Sequence, residues 1–461
     1  SVAVKFGDNE PFELKTGHIA RFASGAVVAS QGDNAVLSTC VFGSPKPGPN
    51  QGAPLTVEYK QSASAVGKIP SNYLRRELSQ SDDDIINSRL IDRSLRPLIP
   101  KTWNCDTQII VKPLSLDEKG DGVILGLNSA AAALTLSEVP FDGPIAAVRL
   151  AYHDKKVIIN PTGAARRESL LNVILAGCSE NRTVMIEMDG KEITLSELEE
   201  VFDHGMIAIG ELLDSMNKLQ RECGKPKAEL SDDFDPILLR RIQEEVDERL
   251  YYILTDVTHD KISRDKAIQE VGLDILHNYE NKAEAGAIFS EVTKKKLRSL
   301  ILENEMRCDG RKLKDFRPIT IQVDVFKELH GSTMFQRGQT QVLSTVTFDS
   351  ASAAFHPDSI SQMLGAQRKK MFMLHYEFPG FAVNSISTSR GSNRREIGHG
   401  ALAEKALKHL IPNQFPYSIR LATQVLESNG SSSMATVCSG SLAMFDAGVP
   451  LLSPAAGVAI G

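Results

Sequence analysis

The sequence predicts an α/β (α+β) protein in which two related domains are joined by an all-helical segment. Three observations support this prediction. The chain contains a diverged internal repeat, each copy alternates strand-like with helix-like stretches, and a charge-rich helical texture separates the copies. With 461 residues the chain is long enough for about three domains of ordinary size.

Composition excludes several classes of protein. Hydrophobic residues make up 42% and charged residues 24%, so a disordered chain, a coiled coil and a collagen-like chain are excluded. No stretch approaches the ~20 consecutive apolar residues that a membrane-spanning helix needs, so we expect no such helix. The six cysteines form no CxxC pair, which favours free thiols in a reducing compartment. The formal charge of −6 means that any polyanion site must be local.

The repeat consists of three pairs of similar segments, which occur in the same order in both copies. The first matches Gly25–Phe42 to Gly331–Phe348 without a gap, with seven identities in 18 positions. The second pairs Arg75-Arg76-Glu77 and Leu98-Ile99-Pro100 with Arg394-Arg395-Glu396 and Leu410-Ile411-Pro412, if the first copy carries seven extra residues. The third pairs Val139-Pro140 and Pro144 with Val449-Pro450 and Pro454. We infer a duplicated domain.

Within each copy, β-branched stretches at 35–42 and 341–348 predict strands, and small-residue stretches at 129–136 and 401–407 predict helices packed on them. Between the copies, Asp235-Pro236 is a helix cap with a first-turn proline, followed by apolar residues every four positions from Leu238 to Leu250. The segment from Lys294 to Glu305 has the same amphipathic pattern of apolar residues among charged ones. The predicted domains are 1–224, 225–304 and 305–461.

The tract Ser428–Met434 is the first candidate site. Ser431, Ser432 and Ser433 precede a stretch of small residues that predicts a helix, and a helix N-terminus with added hydroxyl donors suits phosphate. The alternative is an ordinary serine N-cap on a buried helix. Counted back from the paired Val-Pro, the first copy has Asp121-Gly122-Val123 at these positions, so one copy is equipped for an anion and the other is disarmed.

A second candidate is the run from Asn393 to Gly400. Arg394 and Arg395 offer two guanidinium groups able to form paired hydrogen bonds with phosphate oxygens, on a segment flanked by glycine. Adjacent arginines on a solvated surface are the alternative. His399 is a candidate proton shuttle or base-stacking partner, or a structural histidine.

Two basic segments in the first copy are candidates for binding single-stranded nucleic acid or another anion. Tyr73 stands beside Arg75 and Arg76 in a loop that also carries lysines, a combination suited to base stacking and backbone contacts with single strands. Further on, three arginines recur at i, i+4 and i+7, on one helical face. They are Arg89, Arg93 and Arg96, with ion pairing to Asp92 as the alternative.

The sequence lacks the motifs of several other enzyme classes. The chain contains no GxxxxGK[ST], HExxH or GxSxG motif, so P-loop nucleotide hydrolysis, zinc peptidase and serine esterase activities are not predicted. No metal-ligand cluster is apparent.

Six motifs in order carry a family resemblance. They are Ala65–Pro70 with Arg75-Arg76-Glu77, Ser88–Arg93, Cys308–Arg311, Phe335–Gln341, Arg394–Gly400 and Glu427–Met434. Together they resemble the polynucleotide phosphorylase family, from about Gly17 to the last residue. The resemblance implies two RNase PH-like cores (ribosomal protein-like βαβ repeats) joined by an all-α linker domain. The first core is then the disarmed one that lines an RNA channel in a homotrimer ring.

The resemblance also implies residue roles. Arg394, Arg395, Ser432 and Ser433 would hold inorganic phosphate as co-substrate, with Ser431 beside them and His399 as a further catalytic candidate. The family's channel loop carries two aromatics and two arginines, and here Tyr73-Leu74 replaces the aromatic pair. That pair resembles the animal mitochondrial branch, and the missing initiator Met suits a removed transit peptide. We expect a mitochondrial location, with a bacterial or general cytoplasmic one as the alternative.

The metal site implied by the resemblance lies further along. The family binds Mg²⁺ or Mn²⁺ through an Asp- and Lys-bearing segment expected downstream of Gly461, so no metal ligand is assigned in this chain. The first copy continues for roughly 80 residues after Pro144 before the linker, and the second for seven after Pro454. The second core is therefore expected to be truncated at its C-terminus.

The activity implied is phosphorolysis. Phosphate would attack the 3′-terminal linkage of single-stranded RNA and release nucleoside diphosphates, reversibly as template-independent polymerisation. Two alternatives stay open, a non-catalytic RNA-binding ring subunit and a hydrolytic exoribonuclease. An RNA helicase is a possible protein partner.

Overall fold

The computed structural model describes residues 1–6, 10–45, 54–70, 73–77, 80–230, 234–357, 361–362, 369–386 and 393–460. It contains two related α/β cores and a helical segment between them, as the sequence predicts. The helices of the described residues include none that is long and apolar enough to cross a membrane.

The first core has two sheets. The strands of the first sheet are β1 (Val2–Val4), β2 (Phe12–Thr16), β3 (Gly25–Gln31), β4 (Asn34–Pro45), β5 (Leu55–Tyr59) and β6 (Cys105–Ser115). Their order is β1-β2-β3-β4-β6-β5, antiparallel except for the parallel pair β5 and β6. The strands of the second sheet are β7 (Ile145–His153), β8 (Lys156–Ile159), β9 (Leu171–Cys178) and β10 (Arg182–Gly190), in the order β10-β9-β7-β8.

Helices pack between and around these sheets. They are α1 (Asp82–Leu95), α2 (Gly122–Leu136), α3 (Gly163–Glu168) and α4 (Leu195–Cys223). Helix α2 contacts strands of both sheets, and every residue from Ile124 to Leu136 is buried. Its run of four alanines, Ala130–Ala133, leaves little side-chain volume between the layers, so the helix can approach the strands closely.

The linker consists of α5 (Pro236–Thr255), α6 (Lys261–Asn278) and α7 (Lys282–Asn304), which pack on one another. Asp235 caps α5 and Pro236 is its first residue, as predicted. Ile242, Val246 and Leu250 of the predicted stripe are fully buried in the core of this bundle.

The second core repeats most of the first sheet. Its strands are β11 (Ile319–Val323), β12 (Gly331–Arg337), β13 (Thr340–Asp349), β14 (Phe372–Glu377) and β15 (Ser418–Glu427), in the order β11-β12-β13-β15-β14. Helices α8 (Arg394–Lys408) and α9 (Ser432–Asp446) pack on this sheet and on each other. The β14 and β15 pair is parallel, like β5 and β6, which supports the predicted duplication.

The repeat extends to individual turns. Gly32 joins β3 to β4 and Gly338 joins β12 to β13, and both have φ of 57°. The left-handed backbone required at this position favours glycine, which explains why the residue is the same in both copies. The two hairpins therefore provide a residue-by-residue correspondence between the cores.

Candidate active site

The serine tract forms the N-terminus of α9. Ser431 is the N-cap residue with a left-handed backbone (φ 54°, ψ 38°), and its side chain makes no capping hydrogen bond. Its Oγ is buried and lacks a hydrogen-bond partner among the described residues. Buried hydroxyls are normally paired, and the first N–H groups of a helix have no intrahelical acceptor. This helix end therefore presents unused donors and a positive dipole.

The two following serines are buried at the start of the helix, with 2% of Ser432 and 9% of Ser433 exposed. The Oγ of Ser432 lies 2.8 Å from the phenol oxygen of Tyr376 at the end of β14. Burial raises the pKa of Tyr376, so the phenol stays protonated and can donate. The sequence analysis missed Tyr376, because a tyrosine in a strand is typical of a core.

Arg394 and Arg395 are the first two residues of α8. Asn393 accepts hydrogen bonds from the backbone N–H groups of Arg395 (2.9 Å) and Glu396 (3.0 Å), and Glu396 completes a capping box. The other carboxylate oxygen of Glu396 accepts from the N–H of Phe378 at 2.7 Å. Glu396 thus joins the end of β14 to the helix that carries both arginines.

The two guanidinium groups have different surroundings. Arg394 donates from Nη2 to the carbonyl of Val57 in β5 at 2.7 Å, while its Nε is buried without a partner among the described residues. Arg395 lies over the ring of Phe378, 4.9 Å from the ring centre. The Nε of Arg394 is therefore a donor that a bound anion could satisfy.

His399 lies one turn further along α8. Its Nδ1 is 3.4 Å from the phenol oxygen of Tyr376, so Ser432, Tyr376 and His399 form a polar chain. Burial lowers the pKa of His399 to about 4, and the nearby Arg395 and Arg89 add to this effect. The imidazole is therefore neutral at physiological pH, and the positive charge comes from the arginines.

Arg89 of α1 also belongs to this region. Its guanidinium lies so close to Gly398 of α8 that a Cβ there would overlap it. Burial lowers the pKa of Arg89, and Arg93 and Arg394 lower it further. The absence of a side chain at Gly398 thus lets α1 bring a third arginine to the N-terminal half of α8.

The other two arginines of α1 are engaged elsewhere. Arg96 binds both carboxylate oxygens of Asp92 (2.6 and 2.7 Å) and donates to the carbonyl of Leu55 at 2.8 Å. This is the alternative that the sequence left open for Asp92. Arg93 donates to Glu187 of β10 at 3.0 Å. RNA contacts by Arg93 and Arg96 remain predictions and would compete with these bonds.

The C-terminal end of α8 is attached to β10 of the first core by three charged contacts, which are made by Lys405, Lys408 and the adjoining His409. Glu187 accepts from Lys405 at 2.5 Å in addition to Arg93. Asp189 accepts from Lys408 at 2.6 Å and contacts His409 at 2.7 Å. The helix with the two site arginines is therefore held at its other end by the first core.

The first copy has a closed helix end at the equivalent position. Helices α2 and α9 are both 15 residues long, and Asp121 takes the place of Ser431 as N-cap. Asp121 accepts from the N–H groups of Val123 (3.2 Å) and Ile124 (3.3 Å) and pairs with Arg149 and Arg166. Burial alone would raise the pKa of Asp121, but the two arginines outweigh it and lower that pKa to about 2. A carboxylate of the protein already occupies this helix end.

The structure corrects one predicted pairing. The counterparts of Arg394-Arg395 are Asp82-Asp83, not Arg75-Arg76. Helices α1 and α8 both begin with a capping box, Ser81 with Asp84 and Asn393 with Glu396. Asp84 lies 14 residues before Leu98 (98 − 84), and Glu396 lies 14 before Leu410 (410 − 396), so no insertion is needed. The Arg-Arg-Glu identity misled the comparison because the cap, rather than the arginines, fixes the helix start.

Tyr73, Arg75 and Arg76 instead lie in an exposed loop before α1. The side chain of Tyr73 is 96% exposed, as a ring that stacks on a base would be. Arg75 has a left-handed backbone (φ 51°) and donates to the carbonyl of Pro70 at 3.2 Å. RNA binding by these three residues remains a prediction.

The described residues contain no group of three or more His, Cys, Asp or Glu side chains that could hold a metal ion. Asp446, the carboxylate at the far end of α9, accepts a hydrogen bond from the N–H of Ser332 at 2.8 Å.

Comparison with known families matches three parts of the chain. The model described as "3' exoribonuclease family, domain 1" matches residues 8–140 and 315–450, more than half of the chain. Domain 2 of the same family matches residues 143–208. The model described as "Polyribonucleotide nucleotidyltransferase, RNA binding domain" matches residues 237–312, which include the linker helices.

Curated relatives align along nearly the whole chain. A polyribonucleotide nucleotidyltransferase of Sulfurihydrogenibium azorense is 40% identical over 457 residues, which cover 98% of this chain and 64% of the relative. That of Thermus thermophilus is 40% identical over 471 residues, with the same two shares. The chain thus spans just under two thirds of the length of these relatives.

Among solved structures, rice Rrp46 aligns with 46% of this chain and 95% of its own, at 19% identity and a TM-score of 0.37, too low to carry an argument. The family matches and the curated relatives agree with the duplicated core and the intervening helices. The chain belongs to the 3′ exoribonuclease family, and the curated relatives with which it aligns are named polyribonucleotide nucleotidyltransferases.

Proposed function

We propose that the protein is a polyribonucleotide nucleotidyltransferase, a phosphate-dependent 3′→5′ exoribonuclease. The observation that carries this proposal is a pair of buried donors without partners among the described residues, Ser431 Oγ at the start of α9 and Arg394 Nε at the start of α8. The two helices pack on each other, and the chain of Ser432, Tyr376 and His399 links their N-terminal parts. Arg395 and Arg89 add positive charge in this region. Inorganic phosphate has the charge and the acceptor oxygens that such a group of donors requires.

In this proposal the chain binds and orients the nucleophile. Phosphate rests on the N-terminus of α9 with the hydroxyls of Ser432 and Ser433, and Arg394 and Arg395 bind its remaining oxygens. A phosphate oxygen attacks the 3′-terminal phosphorus in line, and the bond to the preceding O3′ breaks. The proton of hydrogen phosphate ends on that O3′, which leaves a nucleoside diphosphate and a shortened RNA. Positioning and charge neutralisation provide most of the acceleration.

His399 serves as a neutral hydrogen-bond partner in this scheme. Its lowered pKa argues against a cationic acid at physiological pH. Through the Tyr376 hydroxyl it can instead orient the hydroxyl of Ser432. The linkage formed in the diphosphate is close in free energy to the one broken, so the reaction also runs as polymerisation when diphosphates are abundant.

A divalent metal is part of the proposal but not of the described site. When bound, Mg²⁺ or Mn²⁺ would neutralise charge on the attacked phosphate and the leaving oxygen. Since the described residues offer no ligand cluster, no step is assigned to it here.

Single-stranded RNA, a homotrimer ring and an RNA helicase complete the proposed set of substrate and partners. The helical domain's match to an RNA-binding family domain supports RNA, and the exposed Tyr73 supports a stacking contact in a channel. We also propose the animal mitochondrial branch and a mitochondrial location. This part of the proposal rests on the Tyr73-Leu74 pair alone. The relatives named above are bacterial and give it no support.

The test is product identity. The full protein is incubated with 3′-labelled single-stranded RNA at increasing phosphate, and products are separated by chromatography. We expect nucleoside diphosphates whose rate of release rises with phosphate. Nucleoside monophosphates independent of phosphate would mean hydrolysis, and RNA binding without any product would mean a non-catalytic ring subunit.

A matched pair of variants assigns the activity to this site. Arg394→Gln with Arg395→Gln should abolish diphosphate release in a folded protein, because both forked donors are lost. Arg420→Gln, at an exposed position on β15 of the same core, should behave as the unmutated protein. Near-normal release by the double variant would contradict the site assignment.

A further inference from the structure

The loop that leads into α9 is fixed by side-chain hydrogen bonds to its backbone carbonyls. Four consecutive backbone carbonyls, those of residues 428 to 431, each accept a hydrogen bond from a different side chain. The donors are Lys261 Nζ to Ser428 (3.0 Å), Arg317 Nη1 to Asn429 (2.8 Å), Thr340 Oγ1 to Gly430 (3.0 Å) and Arg337 Nη2 to Ser431 (3.0 Å). Three of the four donors are cations. We call Lys261, Arg317 and Arg337 the carbonyl clamp.

The clamp residues come from separate parts of the chain. Arg317 precedes β11 and Arg337 ends β12, whereas Lys261 is the first residue of α6 in the linker. A second contact supports the linker's involvement. The amide oxygen of Gln339 accepts from both the backbone N–H of Lys261 (3.3 Å) and the side-chain amide of Asn429 (3.2 Å).

The clamp fixes the direction of the donors at the helix end. In a planar trans peptide the N–H of the next residue points away from the carbonyl. The bonds to the carbonyls of Gly430 and Ser431 therefore orient the N–H groups of Ser431 and Ser432. The three cations behind the loop also raise the positive potential at the end of α9, over and above the helix dipole.

The disarmed copy lacks the clamp cations. The hairpin correspondence places Gln31 at the position of Arg337, since each residue ends the strand before the glycine turn. Glu10 takes the place of Arg317. A Cβ at Gly32 would touch the side chain of Glu10, and a Cβ at Gly338 would touch that of Arg317. The copy with the serine tract has two arginines behind its loop, and the copy with Asp121 has a carboxylate and an amide.

We propose that Lys261, Arg317 and Arg337 are positioning residues for the phosphate-binding loop, and that the helical linker takes part in phosphate recognition through Lys261. The proposal rests on the proposed function, because it names residues that act on the same site. None of the three need touch phosphate. They act through the backbone of residues 428 to 431, so their loss should weaken binding of phosphate more than the chemical step.

The experiment replaces one cation of the clamp in the full protein. Lys261→Met keeps most of the aliphatic stem and removes the donor, and Lys261→Arg restores a cationic donor. Lys266→Met, at an exposed position five residues further along α6, is the matched control. Phosphate-dependent release of diphosphates is measured for all four proteins, together with amide hydrogen exchange of residues 429–434 without phosphate.

We expect Lys261→Met to raise the KM for phosphate about tenfold, the effect of losing one charge-assisted hydrogen bond, with kcat and the KM for RNA within about twofold. Exchange in residues 429–434 should be faster, and Lys261→Arg should recover most of both values. An unchanged phosphate KM, a fall in kcat alone, or equal effects of Lys266→Met would overturn the proposal. Should the unmutated protein show no phosphate dependence, the proposed function fails, and unchanged exchange in Lys261→Met would then overturn the clamp separately.

Discussion

Asp121 and Ser431 are the N-cap residues of equivalent helices, and they leave those helix ends in opposite states. The carboxylate of Asp121 accepts the first N–H groups of α2 and is itself held by Arg149 and Arg166. The hydroxyl of Ser431 caps nothing and is buried without a partner among the described residues. One copy has thus filled its anion position with its own side chain, and the other is the copy in which we propose that phosphate binds.

The serine hydroxyls should matter for phosphate binding, and loss of the Ser432 hydroxyl should also cost some stability because its hydrogen bond with Tyr376 is lost. We expect Ser432→Ala with Ser433→Ala to raise the KM for phosphate by about 100-fold or more, since hydrogen bonds to a charged group contribute roughly 1.5–3 kcal/mol each and two are lost. Steady-state kinetics at varied phosphate measure this effect. Val123→Ala, at the position of Ser433 in the first copy, should change stability and leave the phosphate KM unaltered. Equal phosphate effects from the two copies would contradict the predicted asymmetry.

Asp121 should make a contribution to stability that is lost at low pH. Its pKa is about 2 in the folded protein against an ordinary 3.8, so its contribution is complete above 3.8 and is lost as the pH falls towards 2. Asp121→Asn should lower the free energy of unfolding by about 3 kcal/mol at neutral pH, because the half-buried Arg149 and Arg166 lose the carboxylate with which both pair. Urea unfolding between pH 7 and 3 measures both effects. Asp203→Asn, at an exposed position on α4, serves as control and should cost little.

His399 should make the protein less stable in mild acid. Its folded pKa of about 4 lies below the ordinary 6.5, so the unfolded chain binds the proton more tightly. Its contribution to stability is therefore complete above pH 6.5 and declines as the pH falls towards 4. We expect His399→Gln to have a flatter profile of Tm between pH 7 and 4. His277→Gln, on an exposed part of α6, should keep the original profile, and identical profiles for all three proteins would contradict the burial of His399.

The exposed loop before α1 should contribute to RNA affinity through charge. Arg75→Ala with Arg76→Ala should weaken binding of long single-stranded RNA and reduce the slope of log affinity against log salt by about 1.4, or ~0.7 for each phosphate contact. Very short substrates should be less affected. Titrations of labelled RNA at several salt concentrations test this. Lys218→Ala with Arg221→Ala removes the same charge from exposed positions on α4, and an equal change of slope there would argue against a specific role of the loop.

Much of the architecture could be predicted because it depends on local signals. The turn glycines Gly32 and Gly338, the cap at Asp235 and the serine tract before α9 each depend on a few adjacent residues, and the structure has each element where the sequence indicates it. The pairing of Arg75-Arg76 with Arg394-Arg395 was wrong because residue identity outweighed helix capping in the comparison. The two capping boxes, Ser81 with Asp84 and Asn393 with Glu396, were the signal that would have corrected it.

The rest of the site depends on contacts between distant segments. Tyr376 is linked to Ser432 across 56 positions and Lys261 to Ser428 across 167. A buried strand tyrosine and a lysine at a helix start are common, and nothing local distinguishes these two. Their roles follow only once the sheet and the linker have brought them to the helix end.

The attachment of α8 to β10 has a consequence for how the duplicated halves can diverge. Glu187 and Asp189 belong to the copy whose anion position is closed, yet they hold the helix that carries Arg394 and Arg395 in the other copy. In the proposed function the first half binds no phosphate itself, and its strand β10 instead holds the helix that carries the two arginines. Selection on that half should therefore act on its outer strand rather than on its helix end. Loss of these two carboxylates should therefore weaken the proposed site even where all of its own residues are intact.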